Sequence, residues 1–433
     1  MTSANGFKQN KKGYIMKTIV SAMAITAALA LHAVPTVSNV KVEQDSRSHM
    51  VKVTYALSEP GIVTVDFQTN GVSIGEANFR NVAGDVNAVV RKGNGEIYWR
   101  PHAKDAWPDH VVSDGSFKAV VTAWSLGAPP EWLVADLRMT NVVNFYVSEA
   151  ALPLPIDSSE YRKEFLLMRK ITAAGIKWLM GAPAGEYGQE TATSKDETQH
   201  FVMLTNDYYI GVFEFTQGQC NYVFGTSNSE LCKPISNWPY NSVRGTEFSW
   251  PQDLHKVASG SKIGILRAHT GLEIDLPTEA EWEYACRAGT STSLNSGKNI
   301  ANKAGTDVNM DEVGWYYNNS VVGSQRTVHE VGLKQSNAWR LFDMHGNVRE
   351  LCLDWFSAGD DYLATFGDGY KMGDIVTAPA GAKTGDKRVD RGAAHNLYSA
   401  GARSGARLSY GPTQSTSSFG FRVVCPANIA VAE

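Results

Sequence analysis

VDRGAAHNLYSAGARSGARLSYGPTQSTSSFGFRVVC spans Val389 to Cys425. An Arg391-Gly392 turn opens it, Arg403 and Arg407 lie one helical turn apart, and Phe419-Gly-Phe-Arg422 runs into the β-branched pair Val423-Val424. Small and polar residues between those landmarks predict a loop-rich surface closed by a strand. No cysteine lies between Cys352 and Cys425.

Around this stretch the composition is that of a globular protein. With 433 residues, 43% of them hydrophobic and 19% charged, the chain can bury large cores and is expected to hold two or three domains. The formal net charge is -4 and the basic residues are scattered, so no footprint for nucleic acid is present.

Residues 1–33 read as a signal peptide. Lys11, Lys12 and Lys17 precede the apolar run Ile19 to Leu31, and small residues at Ala28, Ala30 and Ala33 offer cleavage positions. That run is shorter than the roughly 20 residues a membrane span needs, and no later segment is long and apolar enough to span. Export is expected, to the periplasm, the cell surface or the extracellular space. There the five cysteines are free to form disulfides, and their odd number leaves at least one unpaired within the chain.

Residues 34–140 alternate as antiparallel strands do. Val51, Val53 and Tyr55 point one way, Ser58-Glu-Pro-Gly61 marks a turn, and Asn70-Gly71 is a hairpin signal. Further strands follow at Glu96–Trp99 and Phe117–Trp124. Short strands at this spacing predict an immunoglobulin- or fibronectin-like β-sandwich, read as a spacer or docking module. Leu152-Pro-Leu-Pro155 and Asp157-Ser-Ser then mark a linker over 141–164. The texture from Phe165 to residue 427 differs, with Gly-rich loops, many aromatics and no βαβ periodicity; 428–433 is a tail. The fold class expected for the whole is α+β.

Two landmarks stand inside the second region. In Leu276-Pro-Thr-Glu-Ala-Glu-Trp-Glu-Tyr-Ala-Cys-Arg-Ala-Gly-Thr290, Thr278 and Glu281 form a capping box and Gly289 is expected to supply the left-handed stop. Trp282, Ala285 and Cys286 share a face that packs inward. Glu279 and Glu281 sit where the helix dipole favours carboxylates, which explains them without acid–base chemistry. In Asn337-Ala-Trp-Arg-Leu-Phe-Asp-Met-His-Gly-Asn-Val-Arg-Glu-Leu-Cys-Leu-Asp-Trp355, Gly346-Asn347 makes a tight turn. Asn347 and Glu350 there are oxygen donors of the kind calcium takes, or Asn347 braces the turn.

Met180-Gly181, Tyr209-Ile-Gly-Val-Phe-Glu-Phe-Thr216, the two landmarks, Arg391-Gly392 and Gly420-Phe-Arg-Val-Val424 together resemble, in this order, the formylglycine-generating enzyme (sulfatase-modifying factor) family over roughly 165–427. The resemblance implies a C-type lectin fold variant, low in regular secondary structure and stabilised by calcium. It points to Asn347 and Glu350 as one calcium site and Asn302 as part of another. Cys286 and Cys425 resemble positions that form a disulfide in some members; two buried thiols are the alternative.

The oxidases of the family hold copper with two cysteines after the Arg-Gly turn, where soft thiolates suit Cu(I). Here the matching positions fall among His395, Asn396, Leu397, Tyr398, Ala400 and Ala402, so copper chemistry is not expected. Members with non-haem iron use histidines from an added helical domain, whereas the added domain here reads as strands and the ten histidines have no ligand spacing. Two further departures are Arg349 and Leu351, where the family commonly has tryptophans.

The resulting expectation is a non-catalytic pseudoenzyme that binds a protein or carbohydrate ligand through the 389–425 surface. Candidate contacts are His395, Asn396, Tyr398, Ser399, Ser409, Tyr410, Thr413 and Gln414, a mixture suited to recognition. Some proteins of this fold have a C-terminal segment diversified by a retroelement, and this segment ends, as theirs do, before a Gly-Phe-Arg strand. The alternative is a formylglycine-generating-type oxidoreductase, or another metal-dependent oxidase, with a non-standard active site.

Overall fold

A computed structural model describes residues 34–79, 82–101, 116–189, 196–358, 364–365 and 373–429. The signal peptide expected over 1–33 and the end of the tail expected over 428–433 lie outside the described residues. Sheet predominates, with few and short helices, in keeping with an α+β class.

The first region forms two sheets. One has the order Val37–Gln44, Val51–Leu57, Gly93–Trp99, Val82–Gly84, and the other is built on Gly61–Thr69, paired with Val72–Ser73, Val89–Val90 and Phe117–Trp124. Asn70 and Gly71 both take positive φ, 53° and 77°, and Thr69 pairs with Val72 across them, as a two-residue hairpin turn requires. Burial alternates strictly along Val51–Leu57. Its inward side chains join Val63, Phe67, Trp99 and Phe117 in one core, where Phe67 stacks on Trp99 at 4.6 Å between ring centroids.

A five-stranded antiparallel sheet follows in the order Val143–Tyr146, Trp132–Asp136, Phe165–Ile171, Tyr208–Gly211, Val424–Pro426. The segment read as a linker therefore contains an edge strand, Val143–Tyr146. The prolines at 153 and 155 break the chain only after that strand has paired. Phe145 ties this sheet to the first region, its amide donating to the Asn87 carbonyl at 2.7 Å.

Helix Glu279–Arg287 carries the expected box: Thr278 Oγ1 accepts from the Glu281 amide and Glu281 from the Thr278 amide. Its left-handed residue is Ala288 (φ 44°), one position earlier than expected, with Gly289 (φ 91°) following. Trp282, Ala285 and Cys286 are fully buried.

Four arginines of the C-terminal stretch end on buried carboxylates. Arg422 meets both oxygens of Glu350 at 2.6 Å, and Trp282 Nε1 donates to the same group at 2.6 Å. Arg391 reaches Glu283, which also accepts from Arg287 Nε at 2.8 Å and the Gly181 amide at 2.8 Å. Arg407 forms a two-toothed pair with Glu279 at 2.6 and 2.8 Å, and Arg403 one with Glu197 at 2.9 Å on both branches. Planar guanidinium forks fit carboxylates in this way, and their spare N–H groups donate to carbonyls at 404, 406, 211 and 342. The loops of the stretch are thereby fixed without regular secondary structure.

Arg349, at a position where the resemblance implies tryptophan, is paired in the same manner. It holds buried Asp390 at 2.5 and 2.7 Å and lies 4.7 Å from the Phe419 ring centroid.

Removing one partner of such a buried pair leaves the other charge uncompensated. Arg422→Met is expected to cost about 3–5 kcal/mol in denaturant unfolding because Glu350 stays buried with no other cation bonded to it among the described residues; a cost under about 1 kcal/mol would contradict this role. A second expectation concerns Asp354, which accepts from the Glu279 amide at 2.7 Å. Burial, then the nearby Glu279 carboxylate, pushes its pKa up to about 7. Unfolded aspartate titrates near 4, so between about pH 4 and 7 the folded state keeps a proton the unfolded state has lost, and this contribution to stability falls as pH rises through that window, by at most about 1.4 kcal/mol per pH unit. Asp354→Asn is thus expected to gain stability relative to wild type between pH 5 and pH 8 in thermal melts. An unchanged difference would refute it.

Candidate functional site

Gly346 and Asn347 position the face on which the Arg391-Gly392 turn opens. Gly346 has φ 87°, and a Cβ there would lie 2.0 Å from the Trp315 carbonyl oxygen, so only glycine fits. Asn347, also left-handed at φ 55°, turns its side chain inward: Oδ1 accepts from the His329 amide at 2.9 Å and Nδ2 donates to Glu214 at 2.6 Å. Its carbonyl accepts from the His395 amide at 2.9 Å and lies 3.0 Å from His395 Nδ1.

The loop after His395 is exposed. Asn396 is open to solvent and Tyr398 is 43% exposed. The Tyr398 ring packs 4.5 Å from that of Tyr317, whose amide donates to the Leu397 carbonyl at 2.8 Å. Arg326 covers Tyr317, its guanidinium 3.4 Å from the ring centroid and its Nε donating to the Tyr317 carbonyl at 2.8 Å. Behind them Trp315 stacks on His329 at 3.7 Å, with Lys334 4.0 Å from the indole. Two tyrosines and one arginine thus offer planar apolar area with polar edges, held by backbone bonds rather than by side-chain chance.

The expected contact residues divide into three sets. Asn396 and Tyr398 face solvent. His395, Ser399 and Tyr410 are buried: Ser399 Oγ donates to the Asn302 carbonyl, and Tyr410 packs on Phe419 at 4.7 Å. Their place in the interior removes them from a contact surface in this structure. Ser409 sits in the strand Leu408–Tyr410 opposite Val389, whereas Thr413 and Gln414 belong to the turn beside residues 237–241, where the Asn241 amide donates to Pro412 and Ser415 Oγ to Asn237. Burial holds the pKa of both His395 and His329 below the ordinary imidazole value, opposed by the carbonyls of Asn347 and Ser320. Neither ring carries charge onto the face at neutral pH.

As arranged, Asn347, Glu350 and Asn302 do not fit a calcium ion. Asn347 Oδ1 and both Glu350 oxygens are taken by protein donors, and the positive guanidinium of Arg422 occupies the front of the Glu350 carboxylate. Asn302 is remote in role: its Oδ1 accepts from the Ala304 and Gly305 amides in an exposed turn. Among the described residues no three His, Cys, Asp or Glu side chains are grouped to share a metal ion. The five cysteines are buried free thiols. Cys286 lies 3.7 Å from Ser404 Oγ in one hydrophobic cluster and Cys425 belongs to another, so the structure does not bring that pair together.

Sequence reasoning passed over Glu214, Tyr317 and Arg326. A lone glutamate inside Tyr209-Ile-Gly-Val-Phe-Glu-Phe215 was the available signal for the first, since a carboxylate in an apolar run must be answered inside. Burial, with Asp343 close by, raises the Glu214 pKa well above the carboxylate range. For this arrangement, EGTA treatment is expected to leave the thermal midpoint within about 1 °C. A fall of more than about 5 °C, reversed by calcium, would show a different oxygen arrangement in solution.

Over residues 177–427 the chain matches the family model of the sulfatase-modifying factor enzyme 1-like domain. Chaperone protein LppX of Paenibacillus barcinonensis is 26% identical over 213 residues, covering 38% of this chain and 68% of that protein. The formylglycine-generating enzyme of Mus musculus is 30% identical over 151 residues (34% of this chain, 38% of the enzyme), and that of Streptomyces coelicolor 30% over 158 residues (36% and 47%). The chain spans less than half the length of these enzymes. Similar solved structures include Treponema denticola variable protein 1 (24% identity, TM-score 0.43, covering 60% of this chain and 95% of that one) and PvdO from Pseudomonas aeruginosa (22%, 0.44, 60% and 94%). With its helix, turn and arginine motifs inside a match that covers over half its length, this chain belongs to the sulfatase-modifying factor enzyme 1-like domain family.

Proposed function

We propose that this chain is an exported, non-catalytic binding protein, in which an immunoglobulin-like sandwich over 34–140 carries a C-type lectin-like domain of this family over 165–427. The observation behind the binding reading is the exposed Tyr398 ring packed on half-buried Tyr317, which Arg326 caps, mounted on a frame of buried ion pairs. Such surfaces bind through aromatic area and adaptable polar edges, and the ligand class is a protein or a carbohydrate. Support for a non-catalytic role comes from the positions after Arg391-Gly392, which carry His395, Asn396, Leu397 and Tyr398 but no thiol. The basic residues and apolar run before residue 34 support export. The place of the small, polar 389–425 segment, ending at a Gly420-Phe-Arg422 strand, supports diversification by a retroelement, for which a neighbouring reverse transcriptase with a near-copy of the segment is the genetic sign.

The test pairs a glycan and surface-protein array with an oxidation assay on a sulfatase-motif peptide. The mature protein is expected to select a ligand and leave the peptide unchanged, and Tyr398→Ala to weaken that ligand about tenfold or more. Peptide turnover with copper or iron bound would replace the binding reading by the oxidase one.

A further inference from the structure

A cleft of about 100 Å³ opens at the start of helix Glu279–Arg287, away from the Tyr398 face. Trp250, Leu276, Leu353, Val424 and Cys425 give it an apolar floor. Its polar lining is acidic: Asp207, Glu273, Asp275 and Glu281, with His255 at the edge.

These carboxylates differ in what answers them. Asp275 is neutralised from behind by Arg244 at 3.0 Å and Arg267 at 3.6 Å. Asp207 spends one oxygen on the amides of Ala173 and Ala174, at 2.9 and 3.0 Å. Glu281 spends Oε2 on the Thr278 amide and hydroxyl, at 2.8 and 3.0 Å, leaving Oε1 without a protein donor among the described residues. Glu273 is exposed and makes no ion pair within 4 Å among the described residues, Arg267, which serves Asp275, being the cation near it. The helix start presents no anion site to balance them, because the Glu279 amide goes to Asp354 and the Glu281 amide to Thr278 Oγ1. Burial raises the Glu281 pKa, with Asp275 adding to the effect, as expected for a carboxylate lacking a counter-charge.

We propose that this cleft binds a linear alkylammonium group, its chain on the apolar floor beside Trp250 and its charge between Glu281 and Glu273. The size agrees: a cavity of about 150 Å³ admits benzene, so about 100 Å³ suits a chain of four or five heavy atoms entering from an open mouth. A divalent cation is disfavoured, since no three acidic, His or Cys side chains among the described residues converge on one point. An apolar floor with few polar groups suits an amphipathic cation. The same chemistry is carried by a free small amine and by a lysine side chain.

Calorimetric titration of the mature protein with n-butylammonium, and with 1-butanol as neutral control, tests this. The ammonium is expected to bind at least about tenfold tighter than the alcohol. Glu281→Gln keeps a capping acceptor and is expected to weaken butylammonium about tenfold; Glu273→Gln, at an exposed position, about threefold. Equal binding of amine and alcohol, absence of binding, or wild-type affinity in Glu273→Gln and folded Glu281→Gln would each overturn the proposal. Should Glu281→Gln not fold, Glu273→Gln decides. Tighter binding of Nα-acetyl-lysine methylamide than of 1,5-diaminopentane assigns the site to a protein side chain, and the reverse to a free amine. None of these readouts depends on the Tyr398 face.

Discussion

Buried pairing between arginine and carboxylate is the constraint on which this domain rests. Arg391, Arg403, Arg407 and Arg422 come from a stretch with little regular structure, and each finds a carboxylate on an element far away in sequence. Desolvating so many charges is costly, and the attraction compensates only where forks are two-toothed and the remaining N–H groups meet carbonyls. Both conditions hold for Arg403, Arg407 and Arg422, whereas Arg391 meets Glu283 through one branch and leaves its Nε without a hydrogen-bond partner. Loops that a hydrophobic core alone would leave loose acquire one geometry, and the exposed loop at Asn396–Tyr398 inherits it.

That frame separates architecture from recognition. Glu350 and Asn347 have the residue types of a cation site, yet the donors that saturate them are protein groups, so their work in this structure is to hold the Gly346-Asn347 turn against Trp315. The tyrosines and Arg326 sit outside the frame, where substitution changes contact chemistry without leaving a buried charge unpaired. A scaffold divided in this way tolerates variation at its surface, in line with a binding role on a fold that serves other chemistry elsewhere.

Much of the architecture was legible in the sequence because its signals are local. The Thr278–Glu281 box, the Asn70-Gly71 turn and the alternation along Val51–Leu57 each need only a few neighbouring residues. The exit of the helix at Ala288 rather than Gly289 shows the limit of that precision. The partners of Arg349 and Arg407 were out of reach, because Asp390 and Glu279 are matched by the folded topology and not by spacing. The same holds for the candidate face. Tyr398 was identifiable as a polar-loop aromatic, whereas Tyr317 became its neighbour only through a backbone bond to Leu397; His395 and Ser399 turned inward on their bonds to Asn347 and Asn302, and Tyr410 because the strand Leu408–Tyr410 sets it against Phe419. The edge strand Val143–Tyr146 lay hidden in a segment whose prolines speak more loudly than its four residues.

The five-stranded sheet sets a temporal order on synthesis. Ile210 pairs with Val424, and Arg422 must reach the Gly211 carbonyl, before the Tyr208–Gly211 strand is sealed on its last side. A ribosome therefore releases residues 165–420 without their closing strand, and loop-closure entropy across so long a separation makes that step slow. Until it occurs, the Tyr208–Gly211 edge stays open to pairing with other chains, so this domain matures only after translation has passed residue 426 and depends in the interval on whatever shields nascent β-edges.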